Sequence, residues 1–149
     1  MILVAHRGNL NGYNPYEENK PDYIDSAIGE GYDVEIDIRY IDGKLYLGHD
    51  NPDYEISFEW LLSRKRSLWI HCKNLEAVCF FDEMRQDHID LNYFWHQKDD
   101  VTLTSQNYIW AYPGKQPVQR SIAVLPEIFN EDTTRCIGIC SDTIRLYSK

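Results

Sequence analysis

Side chains of the types used in phosphoryl chemistry occur at three places in the first fifty residues, each beside a short apolar run. They are His6-Arg7, Glu35-Ile36-Asp37 and His49-Asp50. Successive side chains on a β-strand point to opposite faces, so Glu35 and Asp37 share a face, with Cα atoms roughly 7 Å apart. Two such carboxylates can ligate one cation, while histidine transfers protons near neutral pH and arginine binds phosphate oxygens. These residues predict a metal-assisted site that cleaves phosphodiester bonds.

An ordinary amphipathic strand is the alternative explanation of the alternating charges. A strand with one face toward water would also place Glu35, Asp37 and Arg39 on one side and apolar residues on the other. The histidines at two further strand ends favour a site, because three strand ends then carry titratable groups together.

Composition limits the size of the protein and the kind of ligand. With 149 residues, 43% of them hydrophobic, the chain is expected to form one domain spanning residues 1–149. The net charge of -9 disfavours broad contact with nucleic acid, which relies on a basic surface. An anionic ligand would therefore need local positive charge, from a metal ion or from Arg7 and Lys73.

The sequence predicts a cytoplasmic protein. His6 and Arg7 interrupt the first apolar run, so the N-terminus does not read as a secretory signal, and no apolar stretch approaches the roughly 20 residues of a membrane span. The four cysteines include no C-x-x-C pair, which disfavours a zinc site among them. Cys72 and Cys140 lie in apolar runs, where free thiols behave as small hydrophobes in a reducing compartment.

Short apolar or aromatic runs recur along the chain and alternate, in its first half, with helix-like segments. The seven runs are Ile2 to Ala5, Val34 to Ile38, Leu68 to Cys72, Tyr93 to Trp95, Tyr108 to Tyr112, Ile122 to Leu125 and Ile137 to Cys140. Helices are predicted over 19–30, 57–66 and 74–85, with Ser57 and Asn74 as N-caps of the last two. Asp42-Gly43 predicts a hairpin turn.

This alternation predicts an α/β fold, a reduced TIM-like (β/α) barrel of about seven parallel strands with shortened helices in the second half. Segments beyond Gln97 are too short for full helices. Such barrels typically need about 250 residues, so this one would be heavily pared. With seven strands instead of eight, a second subunit could cover an open side and make the protein a homo-oligomer.

Five motifs occur in an order found in one enzyme family. They are His6-Arg7-Gly8, Glu18-Asn19 before a helix, Gly31 to Asp37, Asp42-Gly43 and His49-Asp50. This series resembles the glycerophosphodiester phosphodiesterase family, in the phospholipase-C-like phosphodiesterase superfamily of TIM barrels. The resemblance is strong over residues 1–50 and weaker through Leu68 to Lys73 and Gly138 to Asp142.

The resemblance implies a mechanism and a set of roles. His6 and His49 would be the general acid and base, and Arg7 and Lys73 would hold the phosphate. Glu35 and Asp37 would bind one divalent cation, with Mg²⁺ or Ca²⁺ favoured by the oxygen ligands.

Two features depart from the family pattern. The family has Glu-x-Lys on its third strand, whereas this chain has His71-Cys72-Lys73, so that His71 becomes the third metal ligand and Mn²⁺ or Zn²⁺ become candidates. The usual insertion after His-Asp is missing, since only Asn51 to Ile56 precede the next helix, and family substrate specificity cannot be carried over.

Later strands add candidates that no motif supports. One strand ends in Trp95, His96, Gln97 and Lys98, and another ends in Trp110 and Tyr112. The aromatics among them, Trp110 above all, are expected to bind an apolar or sugar leaving group of the substrate, or else they fill the core. His88 reads as exposed surface, and Glu127 either points into the cleft mouth or faces water.

The predicted function is metal-dependent hydrolysis of a small phosphodiester by histidine acid–base catalysis. Two alternatives stay open at this point. One is a non-catalytic protein that binds phosphate esters or sugar phosphates, in which His71 has spoiled the metal site. The other is a lipid-directed phosphodiesterase of the same superfamily.

Overall fold

The computed structural model describes residues 1–148, which form a curled mixed sheet with three short α-helices. Its ten strands are β1 (Ile2–His6), β2 (Asp33–Ile41), β3 (Lys44–Leu47), β4 (Tyr54–Ile56), β5 (Leu68–Cys72), β6 (Tyr93–Trp95), β7 (Val101–Leu103), β8 (Ile109–Ala111), β9 (Ser121–Val124) and β10 (Gly138–Ser141). The helices are α1 (Pro21–Gly29), α2 (Phe58–Arg64) and α3 (Leu75–Gln86), and two 3₁₀ helices cover Pro126–Ile128 and Ile144–Tyr147.

The predicted TIM-like barrel is wrong. Parallel pairing joins the strands in the order β6, β5, β2, β1, β10, β9 and β8, but β3, β4 and β7 pair antiparallel and make the sheet mixed. A (β/α) barrel needs a helix after each parallel strand. Within the described part of the chain no α-helix follows α3. After residue 97, the strands are connected only by turns and 3₁₀ helices, and β7 and β8 form a short hairpin.

The predicted local elements of the first half are confirmed. Ser57 accepts a hydrogen bond from the Trp60 amide at the start of α2, and Asn74 accepts one from the Ala77 amide at the start of α3. β2 and β3 form the predicted hairpin, with positive φ at both Asp42 and Gly43. This is the backbone that a two-residue hairpin turn requires.

Contacts between aromatic rings show that the sheet is curled. Trp110 on β8 lies 5.7 Å from Trp69 on β5 and 4.7 Å from Phe94 on β6, measured between ring centroids. Four strands separate β5 from β8 in the sheet order, so only a strong curl brings these rings together. The rings form an inner core on the concave face, while the helices pack on the convex face in a second core around Ile24, Leu61 and Phe81.

The two ends of the curled sheet meet at hydrogen bonds made largely by two hydroxyl groups. The Ser105 hydroxyl accepts from the Tyr93 amide at 3.0 Å and donates to the Leu91 carbonyl at 2.9 Å, and the Ser105 amide donates to the Tyr93 carbonyl. The Thr102 hydroxyl donates to the Trp95 carbonyl at 3.0 Å. We call this junction the seam.

Helix length and composition also bear on membranes. None of the helices in residues 1–148 is long and apolar enough to span a bilayer.

Candidate active site

A cleft of about 500 Å³ opens at the carboxyl ends of the parallel strands. It brings together seven of the eight site residues predicted from the sequence, which are His6, Arg7, Glu35, His49, His71, Lys73 and Trp110. The eighth, Asp37, lies beneath this wall with no exposed surface and contacts three of the others. Residues that lie up to 104 positions apart in the chain thus form one site.

Strand register places the acidic pair beside His71. Glu35 and Asp37 point to the concave face of β2, and His71 is the cross-strand partner of Asp37 on β5. The His71 Nδ1 atom lies 3.3 Å from an Asp37 oxygen and 3.6 Å from a Glu35 oxygen. A ligand atom from each of these residues lies within 4.8 Å of the others, the spacing of a metal-binding group.

The orientation of His71 is fixed from its other nitrogen. Nε2 lies 2.8 Å from the carbonyl oxygen of His96, which only accepts, so Nε2 carries a proton and donates. The imidazole also stacks on Phe94, with ring centroids 5.0 Å apart. When neutral, the ring therefore directs the Nδ1 lone pair at the two carboxylates, the arrangement typical of metal-binding histidines.

Without a metal, His71 is held as an imidazolium. Burial lowers its pKa, but hydrogen bonds with Asp37 and Glu35 and their negative charges outweigh burial and raise the pKa to about 9. The same contacts act on Asp37, whose pKa is lowered well below its usual range by His71, Arg7 and Lys73 despite burial. A proton and a metal ion would thus compete for Nδ1.

Two buried oxygen atoms indicate that these residues fit a divalent cation. Glu35 Oε2 and Asp37 Oδ1 are buried and have no well-formed hydrogen bond: the nearest cationic atoms are His6 Nε2, 3.9 Å from Glu35 Oε2, and His71 Nδ1, 3.3 Å from Asp37 Oδ1. Unsatisfied buried oxygens are costly and are normally paired with a donor, water or an ion. Two carboxylate oxygens and one imidazole nitrogen form the beginning of a metal coordination shell.

Arg7 occupies a strained backbone conformation that aims its side chain into the cluster. Its φ is +54°, and the segment is clamped because the Arg7 amide donates to the Glu35 carbonyl and the Arg7 carbonyl accepts from the Asn19 amide. The guanidinium then lies 2.9 Å from Asp37 through Nε and 3.0 Å from Glu18 through Nη1. Strain of this kind is typical of functional sites.

Asn19 fixes the position of Asp37 through two hydrogen bonds, a role that was not predicted from the sequence. This residue is 1% exposed. Its side-chain Nδ2 atom donates to Asp37 Oδ2, and its side-chain Oδ1 atom accepts from the Asp37 backbone amide, both at 3.0 Å. Asn19 was predicted as the first residue of α1, but the helix begins at Pro21 and Asn19 has φ of +62°. Its place beside Glu18 in the family motif is the one signal that could have pointed to it.

His6 has a carboxylate partner that sequence analysis missed. Its Nδ1 atom lies 2.8 Å from Asp142, which directly follows the last strand, and its Nε2 atom lies 3.9 Å from Glu35. Burial lowers the pKa of His6, but the Asp142 hydrogen bond and the Glu35 charge outweigh it and the pKa is raised. The position of Asp142 at the carboxyl end of a strand is the signal that could have indicated it.

The second acidic group near His6 does not fit a cation in the same way. Glu18 and Asp142 lie close enough to His6 to form a ligand set, but the Asn9 amide nitrogen donates to both carboxylates at 2.8 Å. These carboxylates are thus satisfied by a protein donor, which sets this group apart from Glu35 and Asp37.

His49 reaches the cleft from the loop after β3 and is the more exposed of the two histidines. Its Nδ1 atom lies 2.7 Å from Asp50, and Arg39 fixes the loop by donating to the carbonyls of Gly48 and His49. Gly48 has φ of +142°, and a Cβ atom there would lie 2.0 Å from the Asn51 carbonyl oxygen. The loop that presents His49 therefore requires glycine at position 48.

The wall opposite the charged cluster is apolar. Trp110, Tyr112, Val124 and Leu125 line it, and Trp110 is 4% exposed and belongs to the inner core. Trp110 thus combines the two roles considered for it, since it packs in the core and also borders the cleft.

Glu127 does not line the cleft but accepts hydrogen bonds from the Ser141 hydroxyl and the Asp142 amide.

Comparison of the chain with protein-family models, curated proteins and solved structures finds no match.

Proposed function

We propose that this protein hydrolyses a small phosphodiester in a reaction that depends on a divalent cation. One observation carries the proposal: two imidazoles, His6 and His49, each with a carboxylate at Nδ1, line the same cleft as Glu35 and His71, with Asp37 directly beneath them. Proton transfer groups, a ligand set and phosphate-binding cations are thus within one 500 Å³ space.

The two histidines would transfer the protons. With Nδ1 hydrogen-bonded to Asp142 or Asp50, each neutral ring keeps Nε2 free to accept a proton. One imidazole takes the proton of the attacking water or hydroxyl as its oxygen bonds to phosphorus. The other gives a proton to the leaving oxygen as its bond to phosphorus breaks.

Arg7 and Lys73 would bind the phosphate oxygens. Nε and Nη1 of Arg7 are engaged with Asp37 and Glu18, which orients the guanidinium and leaves Nη2 for a ligand. Lys73 lies 3.7 Å from Asp37 and lines the cleft.

Glu35, Asp37 and His71 would hold the cation. When bound, it would offset the negative charge that grows on the phosphoryl oxygens. The oxygen ligands suit Mg²⁺ or Ca²⁺, and the imidazole adds Mn²⁺ and Zn²⁺ to the set that must be tested.

The order of motifs along the chain supports a distant relation to the glycerophosphodiester phosphodiesterase family. His6, Arg7, Glu35, Asp37 and His49 occur in the family's order, and all of them meet at the cleft or directly beneath it. We propose this relation on those residues alone.

A second candidate function, binding of a phosphate ester without hydrolysis, has one observation in its favour. Asp37 is already in contact with three cationic groups, on Arg7, His71 and Lys73, and they neutralise it without a metal. In that state the cleft is an anion-binding pocket.

A chromogenic phosphodiester, bis(p-nitrophenyl) phosphate, separates the two candidates. We expect hydrolysis in the presence of one or more of Mg²⁺, Ca²⁺, Mn²⁺ and Zn²⁺, loss of hydrolysis with chelator, and at least a roughly 100-fold lower rate in both His6→Asn and His49→Asn. His88→Asn is the matched control, because His88 is exposed and lies outside the cleft.

Binding of the diester without turnover in any of the four metals would support the second candidate. Equal rates in His6→Asn and the wild-type protein would contradict catalysis at this cleft.

We further propose a reducing, cytoplasmic location, since all four cysteines are free thiols and Cys72 and Cys140 are buried. The expected second subunit stays a prediction, which sedimentation at several concentrations can check.

A further inference from the structure

A second cavity, of about 530 Å³, lies at the opposite end of the curled sheet from the cleft. Residues at or just before the amino ends of β2, β5, β6 and β8 line it, among them Asp33, Trp69, Asn92 and Tyr108. We call this cavity the basal pit. Its volume is in the range of small-molecule sites, and nothing in the proposed phosphodiesterase reaction uses it.

The floor of the basal pit is polar where a concave sheet face is normally apolar. Asp33 lies two residues before Glu35, and Asn92 lies two residues before Phe94, so strand alternation turns both side chains to the concave face. Trp69 packs above them in the inner core. A carboxylate and an amide thus interrupt the lowest layer of that core.

Asn92 lines the pit and carries an unused hydrogen-bond acceptor. The residue is 4% exposed, and its Oδ1 atom is buried without a hydrogen-bond partner among the described residues. Leaving such an atom unsatisfied is energetically costly, so buried acceptors normally have a donor. A donor group in the pit would remove this cost.

Asp33 supplies a negative charge to the same pit. Its Oδ2 atom accepts from the Trp69 indole nitrogen at 3.0 Å, and burial raises the pKa of this carboxyl. No Lys, Arg or His in residues 1–148 lies within ion-pair distance of it. A pit that combines a half-buried carboxylate without a counter-charge and an unused amide oxygen is suited to a cation that donates hydrogen bonds.

The aromatic walls fit an ammonium group in the same place. The rings of Trp69 and Tyr108 lie 4.8 Å apart and both border the pit. Aromatic faces attract ammonium groups, most strongly where water is excluded. At the rim, Lys65 and Arg66 supply two positive charges that would face the other end of a bound molecule.

We propose that the basal pit binds a small zwitterion. Its primary ammonium group lies at Asp33 and Asn92 beside the paired rings of Trp69 and Tyr108, and its carboxylate or phosphate group faces Lys65 and Arg66. Both charges of such a molecule meet opposite charges, whereas a simple amine or a simple acid meets only one.

A series of small probes tests this assignment. Glycine, β-alanine, γ-aminobutyrate and phosphoethanolamine differ in the distance between their charges, and n-propylamine and propionate each carry one of them. The Trp69 indole N–H resonance, identified with Trp69→Phe, reports binding because that N–H contacts Asp33. We expect saturable shifts with at least one zwitterion. The amine and the acid should bind at least about tenfold more weakly than that zwitterion.

Variants separate a ligand site from a structural feature. Asn92→Leu is expected to fold, because it removes an unsatisfied polar group, and to abolish binding. Gln86→Leu is the control, since Gln86 is an exposed amide outside the pit. Asp33→Asn, which keeps an acceptor for Trp69, should also abolish binding and serves if Asn92→Leu does not fold.

Absence of any shift with all four zwitterions, or unchanged binding in both Asn92→Leu and Asp33→Asn, would overturn the proposal. Tighter binding of n-propylamine than of every zwitterion would also overturn it, because Lys65 and Arg66 would then have no part. The readout is independent of the cleft, so these outcomes do not depend on phosphodiesterase activity.

Discussion

At the scale of residues, the charge of the site depends on the side chain at position 71. A carboxylate there would add a third negative charge to Glu35 and Asp37, whereas His71 brings a group that is positive when no metal is bound. The cluster is therefore stable without a metal, and a metal must displace a proton to bind. Metal affinity should accordingly rise with pH.

The metal-free protein should lose stability between pH 6.5 and pH 9. The pKa of His71 is about 9 in the folded chain and 6.5 when unperturbed, so its contribution is fully present below pH 6.5 and is lost as pH rises through 9. The expected loss is on the order of 2 kcal/mol. Chemical denaturation at several pH values, with chelator present, measures it, and His71→Asn should lack this dependence. The same slope in the variant would contradict the assignment.

Removing the partner of His6 should lower the pKa of that histidine. Asp142→Asn keeps an acceptor for His6 but removes the negative charge that strengthens the hydrogen bond, so burial then dominates the pKa of His6. An NMR titration of the His6 ring should show a lower pKa, and the rate of diester hydrolysis should fall about 10- to 100-fold. Asp50→Asn is the matched control: it should leave the His6 titration unchanged, since Asp50 contacts His49.

At the scale of elements, strand register does most of the assembly. β1, β2 and β5 are adjacent and parallel, so His6, Glu35 and His71 reach the same end of the sheet. His49 needs a different device, because β3 runs antiparallel and its loop must turn back toward the cleft. Gly48 and Arg39 supply that turn.

Gly48→Ala should therefore displace His49. The added Cβ would overlap the Asn51 carbonyl oxygen and φ would be strained, and we expect a loss of about 2–4 kcal/mol in unfolding free energy together with loss of hydrolysis. Gly31→Ala is the control, because φ there is +90° but nothing lies within 4 Å of the new atom. Thermal unfolding of both variants separates steric overlap from backbone strain; equal losses would contradict the overlap.

The sequence allowed the three helices, the hairpin turn and the strands β6, β8, β9 and β10 to be predicted, but not β4 or β7. Pro21, Ser57 and Asn74 mark helix starts by local chemistry, and Asp42-Gly43 marks a turn in the same way. Apolar runs indicate the later strands, whereas β7 is largely exposed and is set by pairing with β8 and contact with β6. Asp142 was missed for a related reason, since its contact with His6 spans 136 positions.

At the scale of the whole molecule, the seam determines whether the curl persists. The strand ladder ends at β6 on one side and at β7 on the other, and Ser105 and Thr102 join these ends. The inner aromatic core, including Trp110, depends on this closure because it packs strands from both sides.

Ser105→Ala should destabilise the protein more than an ordinary serine substitution. It leaves the Tyr93 amide and the Leu91 carbonyl without this partner, at an expected cost of about 2–4 kcal/mol. Ser63→Ala is the control, with an expected change under about 0.5 kcal/mol, because Ser63 is exposed and bonds only within its helix region. Urea unfolding monitored by tryptophan fluorescence compares the two, and equal midpoints would contradict a closing role for Ser105.

The pairing of the first strand with the last gives the proposed enzyme a built-in order of assembly on the ribosome. β1 is synthesised well before its sheet neighbour β10 and before Asp142, which orients His6 from 136 positions further along the chain. A nascent chain can form the hairpin and the acidic pair early, yet its His6 gains a carboxylate only after residue 142 has emerged. Chains released before residue 142 would therefore lack half of one proton-transfer pair.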